Sequence, residues 1–443
     1  MSNIYNFLNN VWQEILTENK QNKAFIPFVF LLITVPISMG LNNISLGLFV
    51  ASSLYYFNKT KNKISFVLLI PILLFLWMSL SYFWSIDVQK TLHAIPKELG
   101  FLLIPVAFWL IPPFSKEQKT IIIKNYSYAM AIYVLFFLVR ALIRFLATND
   151  TGVFFYHGPE NDIDTGLVPR LLNAIHFSVY VAIAFFYFFS KEHKTKLEQM
   201  LSVFLFVFVI LLSSKNIILV FIFLMGIHFF YFSKSSNKMR LRNLAIFIFI
   251  VGSILSFSKI KNRFLVEFQS NTKTSVSHSV FNEADEGVNY VSIYEAWNND
   301  KFTHGDYFPG TAFRVYQFRL FTEFLKEEPI FWNGFGLNAS LNKLLEKEKK
   351  YNLYPGYGTF NFHNQYIQNF AELGVVGFVV LLLMLFLNLK KALKNKDFLH
   401  ISFAILMISL FLTESFLWRQ RGVVFFTAFY CLFNTSHFLN NKQ

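Results

Sequence analysis

The stretch ISFVLLIPILLFLWMSLSYFW, residues 64–84, contains no charged residue. About 20 apolar residues in a helix match the ~30 Å hydrocarbon core of a bilayer. With no water there to satisfy backbone N–H and C=O groups, such a segment must close its hydrogen bonds on itself. Apolar segments of this kind recur at 24–40, 43–57, 64–84, 99–113, 120–147, 170–189, 199–213, 216–232, 243–258, 371–389, 398–413 and 422–438. They predict an all-α polytopic membrane protein with about 12 transmembrane helices. A soluble multidomain enzyme is excluded, since only 15% of the chain is charged against about 25% in soluble domains.

The net charge of +14 suggests nucleic acid until the charges are located. Lysines and arginines gather in every second connection: NKTKNK (58–63), then Lys116, Lys119 and Lys124, then Lys191, Lys194 and Lys196. The series continues with Lys234, Lys238, Arg240 and Arg242, and with Lys390, Lys391, Lys394 and Lys396. The intervening short connections are neutral or acidic; 148–169 carries Asp150, Glu160, Asp162 and Asp164. Cationic loops stay in the cytoplasm, so both termini are expected inside and no nucleic acid partner is called for.

Four regions follow: an amphipathic segment 1–23, helices one to nine over 24–258, an extracytoplasmic loop 259–370, and helices ten to twelve over 371–443. The first region is too polar at its start for a secretory signal. Its apolar stripe, Ile4, Phe7, Leu8, Val11, Trp12, Ile15 and Leu16, fits a helix on the membrane surface or packed on the protein's own bundle. In the large loop, TAFRVYQFRLFTEFLKEE (311–328) reads as a helix ended by Pro329 and by the glycines of NGFG (333–336). The single cysteine, Cys431, allows no intrachain disulfide and no cysteine metal site. Asp162-Ile163-Asp164 reads as part of an acidic loop rather than as a metal motif.

This topology gathers cations at the outer face: Arg170, Lys215, Arg314, Arg319, Arg419 and Arg421, with Arg140 and Arg144 on one face of the fifth span. Singly, such residues snorkel to headgroups; together they suit an anionic lipid-linked substrate such as a polyprenyl diphosphate. FNFHNQYIQNFAELGVVGF (360–378) adds His363 and, at Asn364, an expected N-cap. Gln365, Gln368, Asn369 and Glu372 form a polar stripe on the helix that follows, implying a wet cavity or polar partners. Gly374 and Gly377 are expected to admit a neighbouring helix.

The order Arg314, Pro329, Gly334-Phe335-Gly336, His363-Asn364 and Glu372-Leu373-Gly374-Val375-Val376-Gly377 resembles the signature of the O-antigen ligase and polymerase superfamily. The resemblance extends to VPRLLNAIHFSVY (168–180) and LTESFLWRQRGVVFF (412–426), and covers roughly the last 275 residues. The chain departs at Ser214-Lys215, where relatives often carry Ser-Arg; charge is kept but the bidentate fork is lost.

The resemblance implies a bacterial inner-membrane enzyme that works on the periplasmic side in lipopolysaccharide biosynthesis. It would transfer a glycan from undecaprenyl diphosphate to an acceptor hydroxyl with inversion, using neither metal nor cofactor. The lipid A–core acceptor of a ligase is the first expectation; polymerase and protein O-oligosaccharyltransferase share the motifs. It further implies His363 as the base, Arg314 and Arg170 as the diphosphate clamp with Lys215 and Arg140 alongside, and Asn364, Glu372, Glu414 and Arg419 in support. A transporter or flippase for lipid-linked sugars is the alternative of a different class; such proteins show internal repeats and broken helices, and neither is legible in the sequence.

Overall fold

The computed structural model describes residues 2–57, 65–155, 166–212, 214–233, 289–435 and the single positions 241 and 252. Each expected apolar segment among them is helical. The chain runs through α1 (Ser2–Gln21), α2 (Phe25–Thr34), α3 (Met39–Leu54), α4 (Phe66–Leu80), α5 (Val88–Glu98), α6 (Gly100–Leu110), α7 (Lys116–Thr148), α8 (Ala174–Ser190), α9 (Lys196–Leu211) and α10 (Lys215–Ile227). The loop follows with a two-residue parallel pair, β1 (Asn289–Tyr290) and β2 (Asp306–Tyr307), and with α11 (Ile293–Asn298), α12 (Gly310–Glu327) and α13 (Ser340–Lys350). The last helices are α14 (Gln365–Asn395), α15 (Phe398–Phe411) and α16 (Gln420–Asn434).

Among the described residues five helical stretches are long and apolar enough to cross a membrane: Phe66–Phe83, Val88–Leu110, Lys116–Thr148, Lys215–Phe232 and Gln365–Asn395. Shorter apolar helices accompany them. Apart from position 252, the segment 243–258 lies outside the described residues, as do the DxD-like pair Asp162/Asp164 and the basic residues Lys234, Lys238, Arg240 and Arg242. The fourth expected segment starts earlier than its apolar run, because amphipathic α5 leads directly into α6. The predicted helix at 311–328 is α12, shifted by one residue at each end.

The abundance of Phe, 58 residues in all, has a packing reason. In hydrocarbon there is little hydrophobic drive between helices, so association rests on close contact. Phe403, Phe425, Phe426, Phe429 and Phe433 tile the seam between α15 and α16 at centroid separations of 4.9–6.3 Å. α14 packs between α4 and α15, and α16 lies against α6. The loop has its own core, in which Phe302, Phe308, Tyr316, Phe324, Phe335, Tyr351 and Phe362 are buried.

α14 is broken at Gly374, whose φ of 66° and ψ of −169° lie outside helical space. The break frees backbone groups that must find partners. The turn at 331–336 supplies most of them. Phe335 N–H donates to the Ala371 carbonyl at 2.8 Å, Gly336 N–H to the Glu372 carbonyl at 2.9 Å, and Val375 N–H to the Phe331 carbonyl at 2.8 Å. Trp77 Nε1 of α4 donates to the Leu373 carbonyl at 2.8 Å. Contact is backbone to backbone: a Cβ on Gly374 would stand 2.1 Å from the Trp332 carbonyl oxygen, and one on Gly334 (φ 70°) would stand 2.3 Å from the Glu372 carbonyl carbon. Gly374 therefore admits a loop turn rather than a helix, and Gly377 faces Leu373 of its own helix. The expectation of unbroken helices is corrected.

The two ends of the bundle differ. At one, Lys119 and Lys391 donate to the carbonyls of Thr435 and Asn434 at the α16 C-terminus, where cations are favoured. α1 meets the bundle at this end through Glu14, paired with Lys124 of α7 at 2.8 Å. It thus packs on the protein's own helices, with Trp12 exposed. The other end carries the loop and the remaining candidate residues.

Gly374→Ala should destabilise the folded protein by at least about 2 kcal/mol, from positive φ and backbone overlap together. Thermal unfolding in detergent reads this as a lower midpoint; an unchanged midpoint would refute the clasp.

Candidate active site

Asn364 caps α14 as expected. Its Oδ1 accepts from Tyr366 N–H at 3.0 Å and Ile367 N–H at 3.1 Å, and its Nδ2 donates to the Leu412 carbonyl at 3.1 Å. The cap thereby ties the start of α14 to the turn that follows α15. His363 precedes it at a φ of 46°, a left-handed conformation uncommon outside glycine. Its N–H donates to Asn361 Oδ1 at 3.0 Å. The ring packs against Phe313 and Phe360, 5.7 and 5.9 Å away by centroid, in a cluster of three rings.

His363 Nδ1 faces Glu414 Oε2 at 3.5 Å, longer than an ideal hydrogen bond but within the slack of unliganded sites. Glu414 Oε1 accepts from Arg314 Nη2 at 3.1 Å. Arg314 also donates Nε and Nη2 to the Thr413 carbonyl, both at 2.9 Å, and Nη1 to the Gly310 carbonyl at 2.9 Å. The guanidinium has five N–H donors, so a single one is left for another ligand. Arg314 is thus built in as the support of Glu414, and a bidentate clamp there requires these bonds to open. Burial pushes the Glu414 carboxyl up, but the facing imidazole of His363 and the Arg314 guanidinium outweigh it and hold the group below the ordinary carboxylate range.

The polar stripe finds protein partners rather than a wet cavity. Gln365, Gln368, Asn369 and Glu372 are all buried. Gln365 Oε1 accepts from Leu417 N–H at 2.7 Å, and Gln368 Oε1 from Phe362 N–H at 3.1 Å and Ser415 Oγ at 3.3 Å. Glu372 Oε1 accepts from Gln368 Nε2 at 2.6 Å and Ser340 Oγ at 2.9 Å. The stripe holds the backbone just before His363, at Phe362, and just after Glu414, at Leu417.

Arg419 and Arg421 open α16 immediately beyond this turn, with Arg419 exposed. Arg421 Nη1 donates to the Leu171 carbonyl at 3.2 Å, which brings the exposed Arg170 next to the same turn. Lys215 starts α10. Its neighbour Asn216 donates to the Ser409 carbonyl at 2.7 Å and to Thr413 Oγ1 at 2.9 Å, so the start of α10 is tied to the residue whose carbonyl holds Arg314. Arg319 does not join. It pairs with Glu323 at 3.0 Å and lies over Tyr351 at 4.8 Å inside the loop core. Arg144 donates to the Gly166 carbonyl at 2.8 Å; among the described residues no contact joins it or Arg140 to His363, Glu414 or Arg314.

Two contributors escaped the sequence reading. The Thr413 carbonyl is a backbone group with no residue signal. His176, in the first turn of α8, is buried with its ring 4.4 Å from Phe416, and packs beneath the turn bearing Glu414.

Residues 200–382 match the family model described as O-antigen ligase. This region is similar to O-antigen ligases. Within it lie Lys215, Arg314, the clasp at 331–336 and His363; Glu414, Arg419 and Arg170 come from outside its bounds. The site is therefore completed by flanking segments that fold onto the matched region. No curated protein matches the chain.

Replacing Glu414 by Gln should cost roughly 1.5–3 kcal/mol at neutral pH, the range for hydrogen bonds to charged groups. Because the folded carboxyl titrates below its unfolded value of about 4.3, this contribution is complete above that pH. It is lost as pH falls through the lower folded value. Thermal unfolding of both proteins across pH should show midpoints that converge on acidification; a constant gap would refute the charge link.

Proposed function

We propose that the protein is an inverting, metal-independent glycosyltransferase that moves a glycan from undecaprenyl diphosphate to an acceptor hydroxyl. The single observation that carries this is the His363–Glu414–Arg314 relay beside the cationic turn of Arg170, Arg419 and Arg421. An imidazole braced on one nitrogen by a buried carboxylate leaves the other free to take a proton, the logic of base-orienter pairs.

The acceptor oxygen attacks the anomeric carbon while its proton passes to His363 Nε2, and Glu414 stabilises the imidazolium that forms. The bond from the anomeric carbon to the diphosphate oxygen breaks with its electron pair, leaving an anionic lipid diphosphate. That group is already a good anion, so it needs charge stabilisation more than an acid. Exposed Arg170 and Arg419 take that role in this account, with Lys215 near and Arg140 at the margin; Arg314 acts through Glu414. Phe313 and Phe360 cover one side of the histidine, which stays partly exposed for the acceptor.

The setting is a bacterial inner membrane crossed by about twelve helices, with both termini cytoplasmic and the loop in the periplasm. Among family activities we favour the ligase with lipid A–core as acceptor, over a polymerase that uses a second lipid-linked unit or an enzyme that uses a protein hydroxyl. In a gene deletion, polymer left on the lipid carrier beside bare core marks a ligase; core bearing one repeat marks a polymerase. The interruption of α14 brings the transporter reading forward, since transporters bind cargo at broken helices. Here the freed carbonyls of Ala371, Glu372 and Leu373 are taken by the turn and by Trp77, which favours transfer over transport.

Purified protein given lipid-linked donor and acceptor should form product, in excess EDTA as well. His363→Ala should lower the rate by about 10²–10⁴-fold, the usual weight of a general base, with insertion and folding intact. Arg170→Ala and Arg419→Ala should act mainly on the donor diphosphate step. Substantial transfer by His363→Ala would remove the histidine as base, and a strict divalent-ion requirement would count against guanidinium stabilisation.

A further inference from the structure

The loop carries a second concave feature that the relay does not use. His304, Gly305, Asp306, Tyr307, Tyr354 and Tyr357 line an open cleft of about 180 Å³. Its walls are fixed by backbone. β2 pairs with β1, and Tyr357 Oη accepts from Phe308 N–H at 3.2 Å. Asp306 is held by Thr303 N–H at 2.7 Å and Asn289 Nδ2 at 3.2 Å, bonds that leave lone pairs on both carboxylate oxygens for further donors.

The chemistry of this lining is selective. Tyr354 is 57% exposed, with the His304 ring 6.1 Å away and nearly perpendicular. Exposed aromatic faces carry negative π density that attracts the C–H face of a ring, while the carboxylate, imidazole and phenol hydroxyls offer hydrogen bonds at the rim. An amphipathic ring bearing many hydroxyls satisfies both. One wall of the cleft also packs against the rings of the reaction site. Tyr357 lies 5.3 Å from Phe313 and 6.4 Å from Phe360, the two rings that flank His363.

We propose that this cleft is a carbohydrate subsite, seating a pyranose ring of the glycan chain one aromatic step from His363. The proposal rests on the transfer reading for the identity of the glycan, though not for the binding itself. At about 180 Å³ the cleft is below the ~300 Å³ of drug-sized sites, room for one ring rather than for a whole oligosaccharide.

The test is saturation-transfer NMR on the full chain in nanodiscs. One probe is the core oligosaccharide, the other the O-polysaccharide fragment, both released from the lipopolysaccharide of the bacterium carrying this gene. Pyranose C–H protons of at least one probe should receive saturation, the core marking an acceptor subsite and the fragment a donor subsite. The signal should fall about five-fold or more in Tyr354→Ala, on the scale of aromatic stacking losses, and survive in Tyr354→Phe. His363→Ala should bind as the parent does. Binding without transfer in the parent would overturn the transfer reading and leave the subsite standing. No saturation by either probe, or equal signals in Tyr354→Ala and parent, would overturn the subsite.

Discussion

The break at Gly374 and the turn that closes it are the constraint on which the rest of this structure depends. A helix interrupted at membrane depth survives only if its freed backbone groups are paired. Here the pairing comes from 331–336, over 35 residues upstream, and from the Trp77 indole on α4. This locks the loop that precedes α14 to the bundle, largely by main-chain bonds. It also sets where the upper part of α14 begins, and hence where Asn364 caps it and where His363 stands.

From that anchor the site assembles by short links. Asn364 reaches the Leu412 carbonyl and Gln365 the Leu417 N–H, so the 412–418 turn is pinned to α14 on both sides of Glu414. Arg314 on α12 then clasps Thr413 and Glu414. Three segments far apart in sequence are held by backbone acceptors and buried amides. Such preorganisation lets a carboxylate and an imidazole meet without reorganising as charge develops.

Much of this was legible in the residues. Apolar run lengths gave the helices because hydrocarbon leaves the backbone no other choice, and Asn364 announced its cap by side-chain chemistry alone. The grouping of Arg314, His363 and Arg419 followed from loop alternation. Three things were hidden. The break at Gly374 depends on a distant turn, and a glycine in an apolar run reads equally as helix packing. The direction of Arg319 depends on Tyr351 and Glu323, which local spacing does not reveal. The bonds of Arg314 to the main-chain carbonyls of Thr413 and Gly310 leave no mark on sequence at all.

A histidine acting as base on the acceptor demands a single displacement, and stereochemistry reports that most directly. NMR of the linkage formed by the purified protein from a donor of known anomeric configuration should show inversion at the anomeric carbon. Retention would require a covalent glycosyl intermediate on a nucleophile, and would contradict the role assigned to His363 and the relay behind it.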